Sequence, residues 1–132
     1  NAGIDRGISK DMPVVTAEGL VGHIAQVGDT DSVVQLLMRA RVSALVQSTR
    51  AQGIVSWLDG QRFSLGFVEA SSLVREGDQV VSSGLGGRYP KGIPIGTVVE
   101  VNQIERDLVF QEVFIKSSVD FPDLEEVFVL VK

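Results

Sequence analysis

The chain has 132 residues, 44% hydrophobic and 22% charged, enough to bury the core of one domain or of two very small ones, and too apolar for a disordered chain. Its formal net charge is −5 without any cluster of Lys or Arg, which excludes the basic footprint of a nucleic-acid binder and disfavours an anionic membrane surface. With no cysteine there is no disulfide framework, thiolate zinc site or cysteine nucleophile, and no apolar run reaches the roughly 18 residues of a membrane helix.

Valine and isoleucine dominate the apolar residues in short runs, which favours strands. The first residue is Asn1 and no signal peptide is visible, so the chain reads as a processed or truncated piece. Strands are predicted at Val14–Thr16 and Leu20–Val27, joined by the tight Ala17-Glu18-Gly19 connection. A loop at Gly28-Asp29-Thr30-Asp31 leads to Val33–Met38, the main ambiguity. Asp31-Ser32 could cap a helix there, but the run is short and opens on paired valines, so a strand is preferred. Next come Ser43–Gln47, Gly53–Leu58 and Arg62–Val68, the last two flanking Asp59-Gly60, a strong hairpin signal. Arg75-Glu76-Gly77-Asp78 turns into Gln79–Ser82. Beyond a glycine-rich loop lie Ile95–Gln103, Leu108–Ser117 and Glu126–Val131, with Phe121-Pro122-Asp123 as a break and one helical turn expected within Val119–Glu126. Many short strands between turn signals spell an all-β barrel or sandwich.

A weak internal repeat runs through this pattern. Met12-Pro13-Val14-Val15-Thr16 resembles Asp78-Gln79-Val80-Val81-Ser82, and Gly22-His23-Ile24-Ala25-Gln26-Val27 resembles Gly96-Thr97-Val98-Val99-Glu100-Val101. About eight extra residues separate the two parts in the second copy, and they are the glycine-rich loop. Two related β units suggest two small packed barrels; the alternative is that two ordinary hairpins share a pattern.

Chemistry-bearing residues are sparse. His23 is the only histidine, and on a strand it lacks the nucleophile and orienting acid that a general base requires. For a Ser-His-Asp triad the only cast is Ser83, His23 and Asp29 or Asp31, and Ser82-Ser83 precedes the glycines where a nucleophile would be framed by them. Gly84-Leu85-Gly86-Gly87 is not a phosphate loop: Lys91-Gly92-Ile93-Pro94 runs into a strand, where a Walker or dinucleotide loop opens a helix. Asp120, Asp123, Glu125 and Glu126 lack the order of a calcium loop and read as a solvated turn. Arg39, Arg41 and Arg50 read as a solvated face. No catalytic, cofactor-binding or metal-binding residue is assigned.

Two roles remain. Gly84, Gly86, Gly87, Pro90, Gly92, Pro94 and Gly96 form a structural loop, with positive φ expected in at least one of Gly84, Gly86 and Gly87. Interface cores favour aromatic residues, so Trp57 and Phe63 beside the hairpin and Tyr89 in the loop are the candidate partner surface.

The order of residues in the loop resembles a known family. Ser83-Gly84-Leu85-Gly86-Gly87 followed by Tyr89-Pro90-Lys91-Gly92-Ile93-Pro94-Ile95-Gly96 is similar to the core signature of the MreC family of bacterial cell shape-determining proteins. Gly77-Asp78-Gln79-Val80-Val81 resembles its lead-in, Met12-Pro13-Val14-Val15 with Gly19-Leu20-Val21-Gly22 its opening, and Gln111-Glu112-Val113-Phe114-Ile115 with Leu124-Glu125-Glu126-Val127 its close. Arg88, Ser117 and Trp57 depart from it, standing where a small or apolar residue, a proline and a glycine are common.

This resemblance implies two packed β-barrels reminiscent of trypsin-like folds but without a catalytic triad. It divides the chain into a discontinuous first barrel, 1–41 plus 84–132, and an inserted second barrel, 42–83; a plain split near Glu69–Arg75 is the alternative that the repeat suggests. It further implies the periplasmic part of a single-pass inner-membrane protein, with a membrane helix and coiled coil upstream. The implied role is a non-enzymatic scaffold of the cell-elongation machinery that organises peptidoglycan synthesis without a cofactor. Its implied partners are a class B penicillin-binding protein, MreD and other copies of itself. The competing readings are a degenerate trypsin-like serine hydrolase on His23 and Ser83, or a small peptide- or glycan-binding β module.

Overall fold

A computed structural model describes residues 2–103 and 109–131. These residues form strands β1 (Pro13–Val15), β2 (Leu20–Val27), β3 (Ser32–Leu36), β4 (Val42–Val46), β5 (Gln52–Asp59), β6 (Arg62–Glu69), β7 (Gln79–Ser82), β8 (Pro94–Gln103), β9 (Phe110–Ser117) and β10 (Phe128–Val129). Single 3-10 turns sit at Ile4–Arg6, Leu37–Arg39 and Phe121–Asp123. The start of β9 predicted at Leu108 lies outside the described residues. The chain is all-β, in two units. Six strands close into a barrel in the order β4-β5-β6-β9-β8-β7, and the other four form a sheet in the order β10-β1-β2-β3.

Alternation explains the barrel. Along β6, Phe63 and Leu65 point inward at 0% and 1% exposure, with Ser64 between them. A register shift after Leu65 then turns Phe67 outward at positive φ, and Val68 resumes the inward face. The ambiguous segment 32–41 is part strand and part 3-10 turn. After β3, Leu37 leaves the sheet and is fully buried in the barrel core, which ends the strand and links the units.

Strand pairing corrects the expected boundaries. The expected first unit takes in residues 84–132, yet β8 pairs with β7 and β9 pairs with β6, so 94–117 belongs with 42–82. A cut at Ser83 would divide the β7–β8 hairpin, whose backbone bonds close the barrel.

The repeat is visible in the registers. In the β1–β2 hairpin, Pro13 pairs with His23 and Val14 with Gly22, with a shift before Val15. In β7–β8, Gln79 pairs with Thr97 and Val80 with Gly96, with a shift before Val81. The third strands follow suit: Gly22–Leu36 and Ile24–Val34 correspond to Gly96–Ser117 and Val98–Ile115, each followed by a bulge. Gly22 and Gly96 occupy the same place for the same reason. A Cβ on Gly22 would lie 1.9 Å from the Gln35 carbonyl oxygen, and one on Gly96 would lie 2.5 Å from that of Lys116.

Each unit has its own core. Phe63, Leu65, Val55, Ile95 and Ile115 fill the barrel, and Ile8, Val14, Val21, Ile24 and Val119 lie under the sheet. The cores are stitched together, because Leu20 of β2 packs in the barrel core and Phe121 packs against both.

Candidate functional site

The glycine-rich loop between β7 and β8 is held at its neck by Ser82. This residue is fully buried. Its backbone N–H donates to the Ile93 carbonyl at 2.9 Å, and its own carbonyl accepts from Gly92 at 2.8 Å. Its hydroxyl donates to the Pro90 carbonyl at 2.6 Å and accepts from the Ile93 N–H at 2.9 Å. A single side chain therefore satisfies backbone groups that the turn itself leaves unpaired. Gly84, Gly86, Gly87 and Gly92 all have positive φ, at 82°, 87°, 76° and 92°. Pro90 and Pro94 punctuate the return, and Pro94 opens β8 opposite Val81.

From this neck the loop reaches across to the sheet. Tyr89 is 7% exposed, and its Oη lies 2.8 Å from Nδ1 of His23, itself 5% exposed on β2. The rings meet edge to face, with centroids 6.1 Å apart. Beside them the Arg88 guanidinium pairs with Asp11 at 3.3 Å, half in solvent. Burial, then the positive Arg88, hold the His23 imidazole below its ordinary pKa, against a smaller upward pull from Asp11. Burial pushes the Tyr89 phenol up, which keeps its proton on the oxygen. Neutral imidazole with protonated phenol is the pairing a buried site favours, since neither group then carries charge. The eight-residue excess of the second repeat is thus a strap that joins barrel to sheet.

His23 and Ser83 are engaged elsewhere. Ser83 Oγ donates to Ser43 Oγ at 2.8 Å and accepts from the Leu85 N–H at 3.2 Å. No hydrogen bond links the two among the described residues, and Asp29 and Asp31 sit exposed in the β2–β3 turn. In the acidic turn, a hydrogen bond with Asp123 raises the Asp120 carboxyl above its ordinary pKa. Among the described residues no three His, Asp or Glu side chains converge to hold a metal ion.

Of the three aromatics expected at a partner surface, two are internal. Phe63 is fully buried because it shares the inward face of β6 with Leu65. Tyr89 is buried because it fills the junction between units. Trp57 alone stays out, 48% exposed, directly across from Phe63 at the barrel rim. Its Nε1 donates to the Gly60 carbonyl at 3.0 Å, and Arg62 grips Asp59 through two hydrogen bonds of 2.9 and 3.1 Å, so the ring sits on a braced hairpin. Leu58 beside it is 41% exposed. Ser82 and Asp11 had no sequence signal for these roles. Their partners lie on the far side of the loop and on another unit.

The family model for "Rod shape-determining protein MreC, barrel core" matches residues 1–131. The chain belongs to the MreC family. It is similar to the cell shape-determining protein MreC of Listeria monocytogenes, 37% identical over 97% of this chain. It spans 45% of that relative's length. Among solved structures it resembles MreC from Pseudomonas aeruginosa at a TM-score of 0.90 and 28% identity, covering 98% of this chain and 84% of that one. It also shares the fold of the MreC in a complex of a penicillin-binding protein with MreC from Helicobacter pylori, at a TM-score of 0.71 and 20% identity, over 89% of this chain and 75% of that one. Within this MreC barrel core, the glycine loop is the residue run that carried the resemblance.

Proposed function

We propose that this chain is the barrel core of a non-enzymatic, extracytoplasmic scaffold that organises peptidoglycan synthesis during cell elongation. Family membership across residues 1–131 is the observation that carries this reading. The chemistry of the loop agrees with it: the side chains that could have formed a nucleophile–base pair are engaged in holding the fold together. The proposed partners are a class B penicillin-binding protein, MreD and further copies of the chain. The proposed setting is the periplasmic side of an inner membrane, reached through an anchor upstream of this segment. Trp57, with Leu58 beside it, is the partner-facing aromatic in this reading. An exposed aromatic on a braced hairpin contributes contact area at little conformational cost.

Capture of a class B penicillin-binding protein from membranes, with this chain as bait, tests the scaffold. Retention of the enzyme is the expected result, and its absence from the captured fraction argues against the reading. Labelling with a fluorophosphonate tests the serine-hydrolase alternative on the same sample. Stoichiometric modification of Ser83 would overturn the non-enzymatic assignment.

A further inference from the structure

The glycine-rich loop is fixed at its base by backbone bonds and held at its tip by side chains. At the base Ser82 binds Pro90, Gly92 and Ile93, and Ser83 binds Leu85. Between these anchors residues 86–89 reach out towards the sheet. Their one backbone–backbone hydrogen bond among the described residues is a long one, from the Gly87 N–H to the Gly84 carbonyl at 3.4 Å. No atom lies within 4 Å of where a Cβ would stand on Gly86 or Gly87, and both have positive φ. A hollow of about 260 Å³, lined by Met12, Pro13, Gly87, Arg88 and Leu130 among others, opens between the tip and the sheet unit. Two side-chain contacts cross to that unit: Tyr89 Oη to His23 Nδ1, and Arg88 to Asp11.

Both contacts depend on the charge of His23. A neutral imidazole offers one ring nitrogen as an acceptor, whereas in the imidazolium both nitrogens are donors, so Nδ1 no longer accepts from the phenol. The added charge is also buried and stands beside the like charge of Arg88. The titratable groups that face His23 are Tyr89 and Arg88 from the loop and Asp11 from the segment before β1. Its strand neighbours, Pro13 on β1 and Gln35 on β3, carry no charge. Asp11 is the one group that favours an imidazolium, and it is engaged by Arg88. His23 itself cannot turn out to water with its strand, because β2 is paired on both sides. The loop tip can leave, on glycines at one end and above a fixed neck at the other. A released imidazole reaches water and takes up its proton near the ordinary value of about 6.5. The closed arrangement is therefore favoured above that pH and loses ground as pH falls through it.

We propose that residues 86–89 are a proton-operated latch, shut on the sheet while His23 is neutral and swung out when His23 is protonated, baring Tyr89 and Arg88 while both units keep their folds. The other joints between the units, through Leu20, Leu37 and Phe121, are apolar and do not titrate, so barrel and sheet stay together. The open latch presents an aromatic ring next to a cation, a pairing suited to contact with another molecule. This inference is independent of the scaffold reading.

The chain holds one histidine and one tyrosine, so NMR reads each ring without ambiguity. Both are followed from about pH 8 to about pH 5. Three signals are recorded at each step: the ring-to-ring nuclear Overhauser contact, broadening of the Tyr89 ring by a soluble nitroxide, and amide protection of β2 and β9. As His23 takes up its proton, the contact should vanish and the broadening should rise severalfold with the same midpoint, while the strands stay protected. In His23→Gln the Tyr89 ring should remain shielded across the whole range. If that variant fails to fold, Arg88→Gln decides. With the like charge gone, the His23 titration and the release of Tyr89 should move to higher pH together. A Tyr89 ring that stays in contact after His23 has titrated overturns the proposal, as does a His23 still neutral at the acid end. Release of Tyr89 that persists in His23→Gln, or midpoints that separate or stay in place in Arg88→Gln, also overturns it. So does loss of strand protection together with the contact, which would make the event acid unfolding of the whole molecule.

Discussion

Gly86 and Gly87 have open space where a Cβ would go, so substitution there is strained by backbone conformation alone. Each change to Ala should destabilise the fold by about 1 kcal/mol or more, read as a drop in the denaturant midpoint with an unchanged slope. Unaltered midpoints at both sites would refute the structural reading of the loop. His23 behaves differently, because its effect depends on pH. Its pKa is lowered in the folded chain, so the unfolded chain takes up the proton first. Stability contributed by the neutral imidazole is then present above about 6.5, falls as pH drops through that value, and stops falling once the folded chain is protonated too. Tyr89, Arg88 and Asp11 are the groups that face it. Chemical denaturation at stepped pH should show this loss in the wild type and a smaller one in His23→Gln; equal slopes in both would place the titration elsewhere.

At the level of single elements, the β5–β6 hairpin holds two aromatics with opposite fates. Phe63→Ala removes a fully buried ring and should cost about 3–5 kcal/mol. Trp57→Ala, at 48% exposure, should leave the thermal midpoint within a few degrees of wild type while weakening capture of the penicillin-binding protein. A Trp57 variant that melts early and binds normally would make the ring a rim plug. The repeated hairpins share a further demand, close approach of a neighbouring carbonyl at Gly22 and Gly96. Either residue changed to Ala must push a strand aside, so both should lose more stability than the loop glycines do. Phe67 is the element-level exception. A bulge holds it at φ 64° with its ring edge-on to Phe110, and no requirement of the barrel explains an aromatic there.

Barrel and sheet are joined through Leu20 and Leu37 in the barrel core, Phe121 against both cores, and the strap through Tyr89 and Arg88. Because the two cores share residues, the whole molecule should unfold in one transition, with strands of both units exchanging amide hydrogens together under mild denaturant. Tyr89→Phe keeps the ring and removes its hydroxyl, leaving a buried imidazole nitrogen unpaired, and should cost about 1–3 kcal/mol. Two resolved transitions in the wild type would show that the strap does not couple the units.

Local chemistry alone determined most of the element map. Alternating Val, Ile and Phe between Gly, Pro and Asp turns specify strands through short-range sterics, and β2 and β7 fall where periodicity puts them. The glycine loop was legible for the same reason, since positive φ is a property of single residues. Tertiary structure decided what depends on partners distant in sequence. Leu37 ends β3 because a barrel formed by later strands buries it. Strands β8 and β9 join the barrel because its last edges close with their backbone bonds, which no window of sequence can express. Tyr89 and Phe63 look alike beside their turns to Trp57. Trp57 pairs directly with Phe63 and so shares its face; position along the barrel, with Trp57 at the rim, leaves that ring half in water while Phe63 is enclosed and the strap carries Tyr89 inside.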